Sequence, residues 1–555
     1  MSEFTDKLAG LWPEMVMLVG ATACLASGLS PWAAVRRATP WVAAGTMALA
    51  WGLTVGIARG GDASGGGGEH PLGFGGMVPY VKCLVLAMGL ILLMVNAGVP
   101  ERLRQDREAE EAKAFDPGNA VRGEYYFFFL LSLTGAMMTA GATDLVWLFL
   151  ALELTSLPTY VMIAMSRGRV TAQESAIKYF FLGALSAAVF LYGFALIYGA
   201  TGFTDFARIA SSDGVESPLF VLGLSLAILG LCFKIAAVPM HLYAADVYEG
   251  AATQLTAFLA VVPKTAGFAA LVLVVGLTGW DPLPEPIALL LSGVAILTMT
   301  LGNVLAIVQT NLKRVLAYSS IAHSGYLLTG LVAGLGSGAV TADGSEAALG
   351  NGVAALLFYL LTYAMATVGS FAVIACLRVP KLSAEEEAEV GAKGHRIVTY
   401  EHLAGLWWRS PALAGVMLVA MLSLVGLPPL AGFLGKVYLI GGVFTAGYGV
   451  LAVAIVINSA ASAGYYLRIA MACFFGKPAE DVRFHQAPTL IAGAGITTVA
   501  AFVLGGYGAS GVVQNSLDAT PHAPPRPAAA AADGPEVELP PAENDGPLTR
   551  PGPPA

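Results

Sequence analysis

Apolar stretches of about 20 residues, almost free of charge, recur along this chain as far as residue 508, and they decide what it can fold into. A helix needs about that length to cross the hydrocarbon core of a bilayer. Such windows fall at 14–31, 40–58, 78–99, 124–141, 144–165, 174–199, 219–243, 253–277, 286–308, 314–335, 352–377, 411–441, 447–474 and 488–508. The pattern predicts an all-α polytopic membrane protein with about fourteen spans. Two divisions are hard to draw: 124–165 needs a tight turn at Gly141-Ala142-Thr143-Asp144, and 411–441 is unusually long. Composition agrees, with 12% charged residues and a mean hydropathy of +0.71, where soluble domains carry about 25% charge. The opening MSEFTDKLAGLWPE lacks the basic region of a cleaved signal, so the apolar segment after it reads as the first span.

The basic residues orient these spans. With both termini outside, the inner loops hold eighteen of the 29 Lys and Arg, the outer segments five, and the spans themselves six. An inner excess that alternates loop by loop is what the positive-inside rule expects. No basic patch with interleaved aromatics supports nucleic-acid binding. The five cysteines, Cys24, Cys83, Cys232, Cys376 and Cys473, are scattered singly, so neither a metal site nor an iron–sulfur cluster is expected on this chain. The inner stretch 378–410 begins too polar for lipid and ends in YEHLAGLWWRSP, which suits a short helix lying on the interface. Beyond 509 the chain is rich in Pro and Ala without periodicity, and disorder is expected there.

The six basic residues within spans are Lys82, Lys178, Lys234, Lys264, Lys436 and Arg468. An ionisable group at mid-membrane costs about 2.5–3.5 kcal/mol on insertion scales. Glu153, Lys234 and Lys264 lie deep in their windows, and Lys436 follows the helix-breaking Pro428-Pro429. One such residue alone can be a locked ion pair that sets helix packing. Three lysines and a glutamate on separate spans fit a proton relay better, because removal from water disfavours the charged form of either group. Pro239, five residues after Lys234, and the Pro428-Pro429 pair would free backbone carbonyls, which membranes tolerate only where protein or water satisfies them. A weak internal repeat lays LALELTSLPTY (150–160) on LAYSSIAHSGY (316–326) and Val238-Pro239 on Leu427-Pro428. It brings His323 near the level of Glu153, as a possible relay member or a structural histidine.

LALELTSLPTYV, FKIAAVPMHLYAADVYEGAATQLTAFLAVVPKTAGFAAL, VQTNLKRVLAYSSIAHSGYLL and LSLVGLPPLAGFLGKVYLI, within residues 125–475, resemble the N-type, antiporter-like subunit family of bacterial respiratory complex I. The resemblance implies two inverted five-helix repeats with broken seventh and twelfth spans. Residues 1–123 would form an N-terminal three-helix segment and inner loop, 124–277 the first repeat, 286–474 the second, 475–508 the last helix and 509–555 the tail. It also implies that Glu153, Lys234, Lys264 and Lys436 pass protons across the bacterial inner membrane, coupled to electron transfer from NADH to quinone. FMN, iron–sulfur clusters, NADH and quinone would then bind to other subunits and no cofactor to this chain. Its partners would be the M-, L- and K-type membrane subunits and lipid. The chain departs from the family at Ala245 and Ala252, where prolines are usual, and in a longer loop at 383–399. Other readings are a subunit of a multi-subunit cation/proton antiporter, which shares the fold, and a structural spacer with locked ion pairs.

Overall fold

The computed structural model describes residues 10–64, 76–97, 123–165, 170–280, 283–335, 350–378, 398–478, 483–484 and 488–505. The expected inner loop near residues 98–122, most of the loop 383–399 and the tail 509–555 lie outside them.

Every apolar window contains helix. In chain order the helices are α1 (Trp12–Gly28), α2 (Ala33–Ser64), α3 (Met77–Ala97), α4 (Gly123–Ala140), α5 (Leu145–Ala164), α6 (Val170–Thr201) and α7 (Pro218–Leu231). They continue as α8 (Ala244–Gly250), α9 (Thr253–Gly276), α10 (Glu285–Val308), α11 (Leu312–Ala333) and α12 (Gly352–Cys376). The last four are α13 (Pro411–Val425), α14 (Ala431–Thr445), α15 (Gly449–Phe475) and α16 (Pro488–Gly505). Among the described residues, nine helices are long and apolar enough to cross a membrane alone, and α7, α13, α14 and much of α16 are shorter apolar helices. The chain is therefore an all-α, multi-pass membrane protein. Its strand content among the described residues is a two-residue ladder pairing Leu377–Arg378 with Arg483–Phe484.

The tight turn expected at 141–144 is present. Asp144 ends it and caps α5, its Oδ1 accepting the Trp147 N–H at 2.8 Å. A backbone bridge to Asp205 ties this turn to the one after α6, and the bridge between Asn311 and Thr399 does the same at the start of α11. The long window 411–441 is two helices, parted as expected at Pro428 and Pro429, which carry no N–H for a helix to run through. One expectation changes. The interfacial helix expected over YEHLAGLWWRSP is two four-residue turns, Tyr400–Leu403 and Leu406–Arg409, parted at Gly405 in the left-handed region with φ +64°. Trp407 stacks on Phe474, and the Arg468 guanidinium lies 4.3 Å from the centre of the Tyr400 ring, which anchors the segment on α15.

The core is one continuous apolar body. Helices α9, α11 and α12 run through it with almost every residue buried, while α2, α6 and α15 present broad apolar faces outward. Helices buried on all sides have no outward face for a polar group. Whatever polar side chains α9, α11 and α12 carry must therefore find partners inside.

Candidate functional site

Pro239 shapes the first part of the site. It has no N–H for the carbonyl four residues earlier, and its ring crowds that carbonyl. Accordingly α7 stops at Leu231, upstream of Lys234, so Lys234 sits within the non-α segment 232–243, where Ala236 has a φ of +56°. Side chains take over the lost backbone bonds. The deprived carbonyl, Ile235 O, accepts the Ser324 hydroxyl. The Val238 N–H donates to Thr298 Oγ1 at 3.1 Å, and the Tyr243 hydroxyl donates to Phe233 O at 2.8 Å. Thus fixed, Lys234 Nζ donates to Glu153 Oε1 at 3.0 Å and to Ser156 Oγ at 2.7 Å. Glu153 and Ser156 are three residues apart on α5 and share a face. Lys234 is 4% exposed.

The second part follows α11. From α9, Lys264 Nζ donates to the carbonyl and the hydroxyl of Ser320, at 2.6 and 2.7 Å, and lies 4.7 Å from the centre of the Tyr363 ring. The Tyr363 hydroxyl donates to the same Ser320 Oγ at 2.8 Å. One turn on, both nitrogens of His323 are engaged: Nδ1 with the Tyr359 hydroxyl at 2.7 Å and Nε2 with the Tyr466 hydroxyl at 2.8 Å. A neutral imidazole has one donor and one acceptor, so the two tyrosines exchange donor and acceptor roles whenever the ring changes tautomer. Tyr466 also bonds Ser319. Between His323 and Leu424 a narrow gap is lined by Tyr359, Thr362, Tyr363, Ser423 and Gly432, with no room for a water molecule.

Pro428 and Pro429 build the third part. The carbonyls of Leu424 and Val425 would ordinarily receive the N–H groups of residues 428 and 429, which are both prolines. Lys436 Nζ, from α14, donates to these two carbonyls at 3.0 and 2.8 Å, and it lies 5.0 Å from the centre of the Tyr326 ring. Lys264 and Lys436 are thus held by neutral oxygens, whereas Lys234 has the carboxylate of Glu153. Each bond to a charged group is worth about 1.5–3 kcal/mol, which offsets part of the cost of burial.

Of the five residues singled out from the sequence, Glu153 and Lys234 touch. Lys264, His323 and Lys436 are strung along α11 through Ser320, its own His323 and Tyr326. The same helix reaches the first pair through Ser324. Serines and tyrosines were missed as partners because nothing in the sequence shows which helix faces which. Ser156 was missed with them, although its spacing of three from Glu153 could have found it.

The other basic residues within spans lie elsewhere. Lys82 forms a buried ion pair with Glu14 at 2.7 Å and donates to Gly10 O, binding α3 to the start of α1. Lys178 pairs with Glu174 at 2.7 Å and with Asp246 at 2.8 Å. Arg314 holds Asp246 and Glu249, both at 2.8 Å. Burial works against the Asp246 charge, yet the bonds from Lys178 and Arg314 hold its carboxyl below the usual range. This cluster clamps α6, α8 and α11 together.

The family described as NADH:quinone oxidoreductase/Mrp antiporter, TM, matches residues 142–462, which include Glu153, Lys234, Lys264, His323 and Lys436. NADH-quinone oxidoreductase subunit N of Trichlorobacter lovleyi is 44% identical over 363 residues, covering 65% of this chain and 69% of the relative. The protein of the same name from Desulfovibrio desulfuricans is 38% identical over 485 residues, covering 85% and 88%. Among solved structures, a chain of respiratory complex I from Thermus thermophilus aligns with a TM-score of 0.69 at 31% identity, covering 90% of this chain and 98% of that one.

Proposed function

This chain belongs to the subunit N family of NADH-quinone oxidoreductase, and from that premise we propose that it carries protons across the membrane through Glu153, Lys234, Lys264, His323 and Lys436. One observation carries the reading. Three ammonium groups are buried in apolar protein, two of them held only by neutral oxygens among the described residues, and α11 touches the surroundings of all three. A group that must release and recover a proton is best served by hydrogen bonds that tolerate both states. A strong counter-charge would lock it. Glu153 supplies that counter-charge at one end, where opening of its pair with Lys234 would start the transfer.

The remaining steps follow from the chemistry of the partners. Lys264 would pass its proton beside Ser320 to the Tyr359–His323–Tyr466 array. Because that array has both ring nitrogens bonded, it can hand a proton on by changing tautomer, toward Lys436 at the second break. Electron transfer from NADH through FMN and iron–sulfur clusters to quinone would take place in other subunits. M-, L- and K-type subunits would be the neighbours, and both termini would face outward across the bacterial inner membrane. The two broken segments would be equivalents in two inverted five-helix repeats.

The test uses the whole complex in proteoliposomes, comparing proton uptake with quinone reduction for Lys234→Ala and Lys436→Ala. Both variants should lose most proton-coupled turnover while the complex still assembles. Full proton uptake per quinone reduced in both would refute the reading and leave a spacer with fixed ion pairs.

A further inference from the structure

The face of α5 that carries Glu153 and Ser156 continues to Tyr160, at spacings of three and four, and Tyr160 has no place in the scheme above. Side chains on a helix lean toward its N-terminus, so the Tyr160 ring reaches back over the preceding turn. Its hydroxyl is buried beside Ser156 and Glu153, and its contact with Ser156 lies outside hydrogen-bond geometry, which leaves it without a geometric partner among the described residues. Leaving a buried hydroxyl unpaired costs about 1–3 kcal/mol, and such a group in a native protein calls for a reason.

The hydroxyl is also held in place deliberately. The Tyr160 ring packs edge-on to Tyr179 with centroids 4.6 Å apart, and its oxygen fills the space left by the missing side chain of Gly183 on α6. A Cβ at position 183 would overlap that oxygen. Across from it, the Lys234 ammonium has three N–H donors. Two are taken by Glu153 and Ser156. An unpaired hydroxyl and an ammonium with a donor to spare therefore flank one serine.

We propose that Tyr160 gives the Lys234 ammonium a second docking position: when the bond to Glu153 opens, the ammonium pivots on Ser156 and donates to the Tyr160 hydroxyl oxygen. Tyr160 is then a positioning residue and stays protonated throughout. Glu153 is left without its partner and Lys234 keeps its proton, so charge moves about one helical turn along α5 with no bond to hydrogen broken. The weak repeat adds a parallel. Tyr326, the residue laid on Tyr160, stands beside Lys436, with 5.0 Å between that ammonium and the ring centre.

The proposal rests on the relay reading, and the experiment separates the two. In the assembled complex, Tyr160→Phe keeps the ring and its packing and removes the oxygen. It should lower kcat for proton-coupled quinone reduction about tenfold and leave the quinone KM unchanged, since a general packing defect would move both. Gly183→Ala, which pushes the hydroxyl aside, should lower kcat similarly. The double variant should lose less than the sum of the two single losses, because the phenylalanine lacks the oxygen, the nearer of the two Tyr160 atoms that a Cβ at 183 would meet, and keeps only Cζ, at 2.8 Å. Wild-type kcat in Tyr160→Phe alongside loss in Lys234→Ala overturns the Tyr160 proposal alone. Additive losses in the double variant overturn it as well, since they mean that the ring and the glycine matter for packing. Wild-type turnover in Lys234→Ala overturns the relay reading itself.

Discussion

Ser320→Ala tests the relay at the point where it is most exposed to disproof. The Ser320 hydroxyl does two jobs, accepting from Lys264 Nζ at 2.7 Å and from the Tyr363 hydroxyl at 2.8 Å, inside a helix with no solvent. Alanine removes one of the two oxygens that hold the ammonium and leaves the Ser320 carbonyl at 2.6 Å. One hydrogen bond to a charged group is worth about 1.5–3 kcal/mol. The charged form of Lys264 should therefore lose about 10- to 100-fold in relative population at a given pH. If Lys264 must be charged for part of each cycle, proton uptake into proteoliposomes should fall by at least about tenfold. Loss of the oxygen that Tyr363 and Tyr248 both reach adds a stability cost of about 1–3 kcal/mol, read as earlier dissociation of the complex on heating. Ser320→Thr keeps the hydroxyl and serves as the control, with most of the turnover retained. Reduced thermal stability in Ser320→Ala together with wild-type proton uptake would refute the reasoning. The serine would then matter to packing, and the charge on Lys264 would not change during turnover.

Three further outcomes follow from the same geometry. Tyr359→Phe leaves Nδ1 of His323 without its partner and should cost about 1–3 kcal/mol in heat stability, with slower proton uptake; unchanged uptake would take His323 off the route. Gly426→Ala places a side chain where φ is +88° and a Cβ would lie 2.9 Å from Lys436 Cδ; a cost of about 1–2 kcal/mol is expected for the backbone alone, measured as lower yield of assembled complex, and a yield equal to wild type would contradict it. Lys178→Met breaks two ion pairs whose groups are one third to one half exposed, so stability should change by less than about 1 kcal/mol with proton uptake near wild type; a loss as large as that of Lys234→Ala would place Lys178 on the route.

Much of this was legible in the residues. Hydropathy placed the helices because lipid demands about 20 apolar residues wherever the chain crosses. Buried charge pointed to Glu153, Lys234, Lys264 and Lys436 because such groups are too costly to keep without use. The same criterion also picks out Lys82, Lys178 and Arg468. Each meets a carboxylate or an aromatic ring near a helix end, and depth within a window does not reveal that. Pro239 announced a break but not where it starts, since a helix must end before the carbonyl that proline obstructs. The acceptors were hidden more deeply. Ser320, Tyr359 and Tyr466 look like ordinary helix residues until α9, α11, α12 and α15 are brought together, and that assembly is a property of three-dimensional packing.

The double proline before α14 has a mechanical consequence. Among the described residues, the hydrogen-bond donor that reaches the last two carbonyls of α13 is the ammonium on Lys436, so one cation serves as the final link of a backbone ladder. Neutralise that amine and it keeps two hydrogens for two oxygens but loses the charge that made both contacts strong. The end of the helix then has reason to slacken. Were a proton to pass through this position, its occupancy and the tautness of a membrane-embedded rod would be one variable, and the passage would be felt as motion by whatever lies against it.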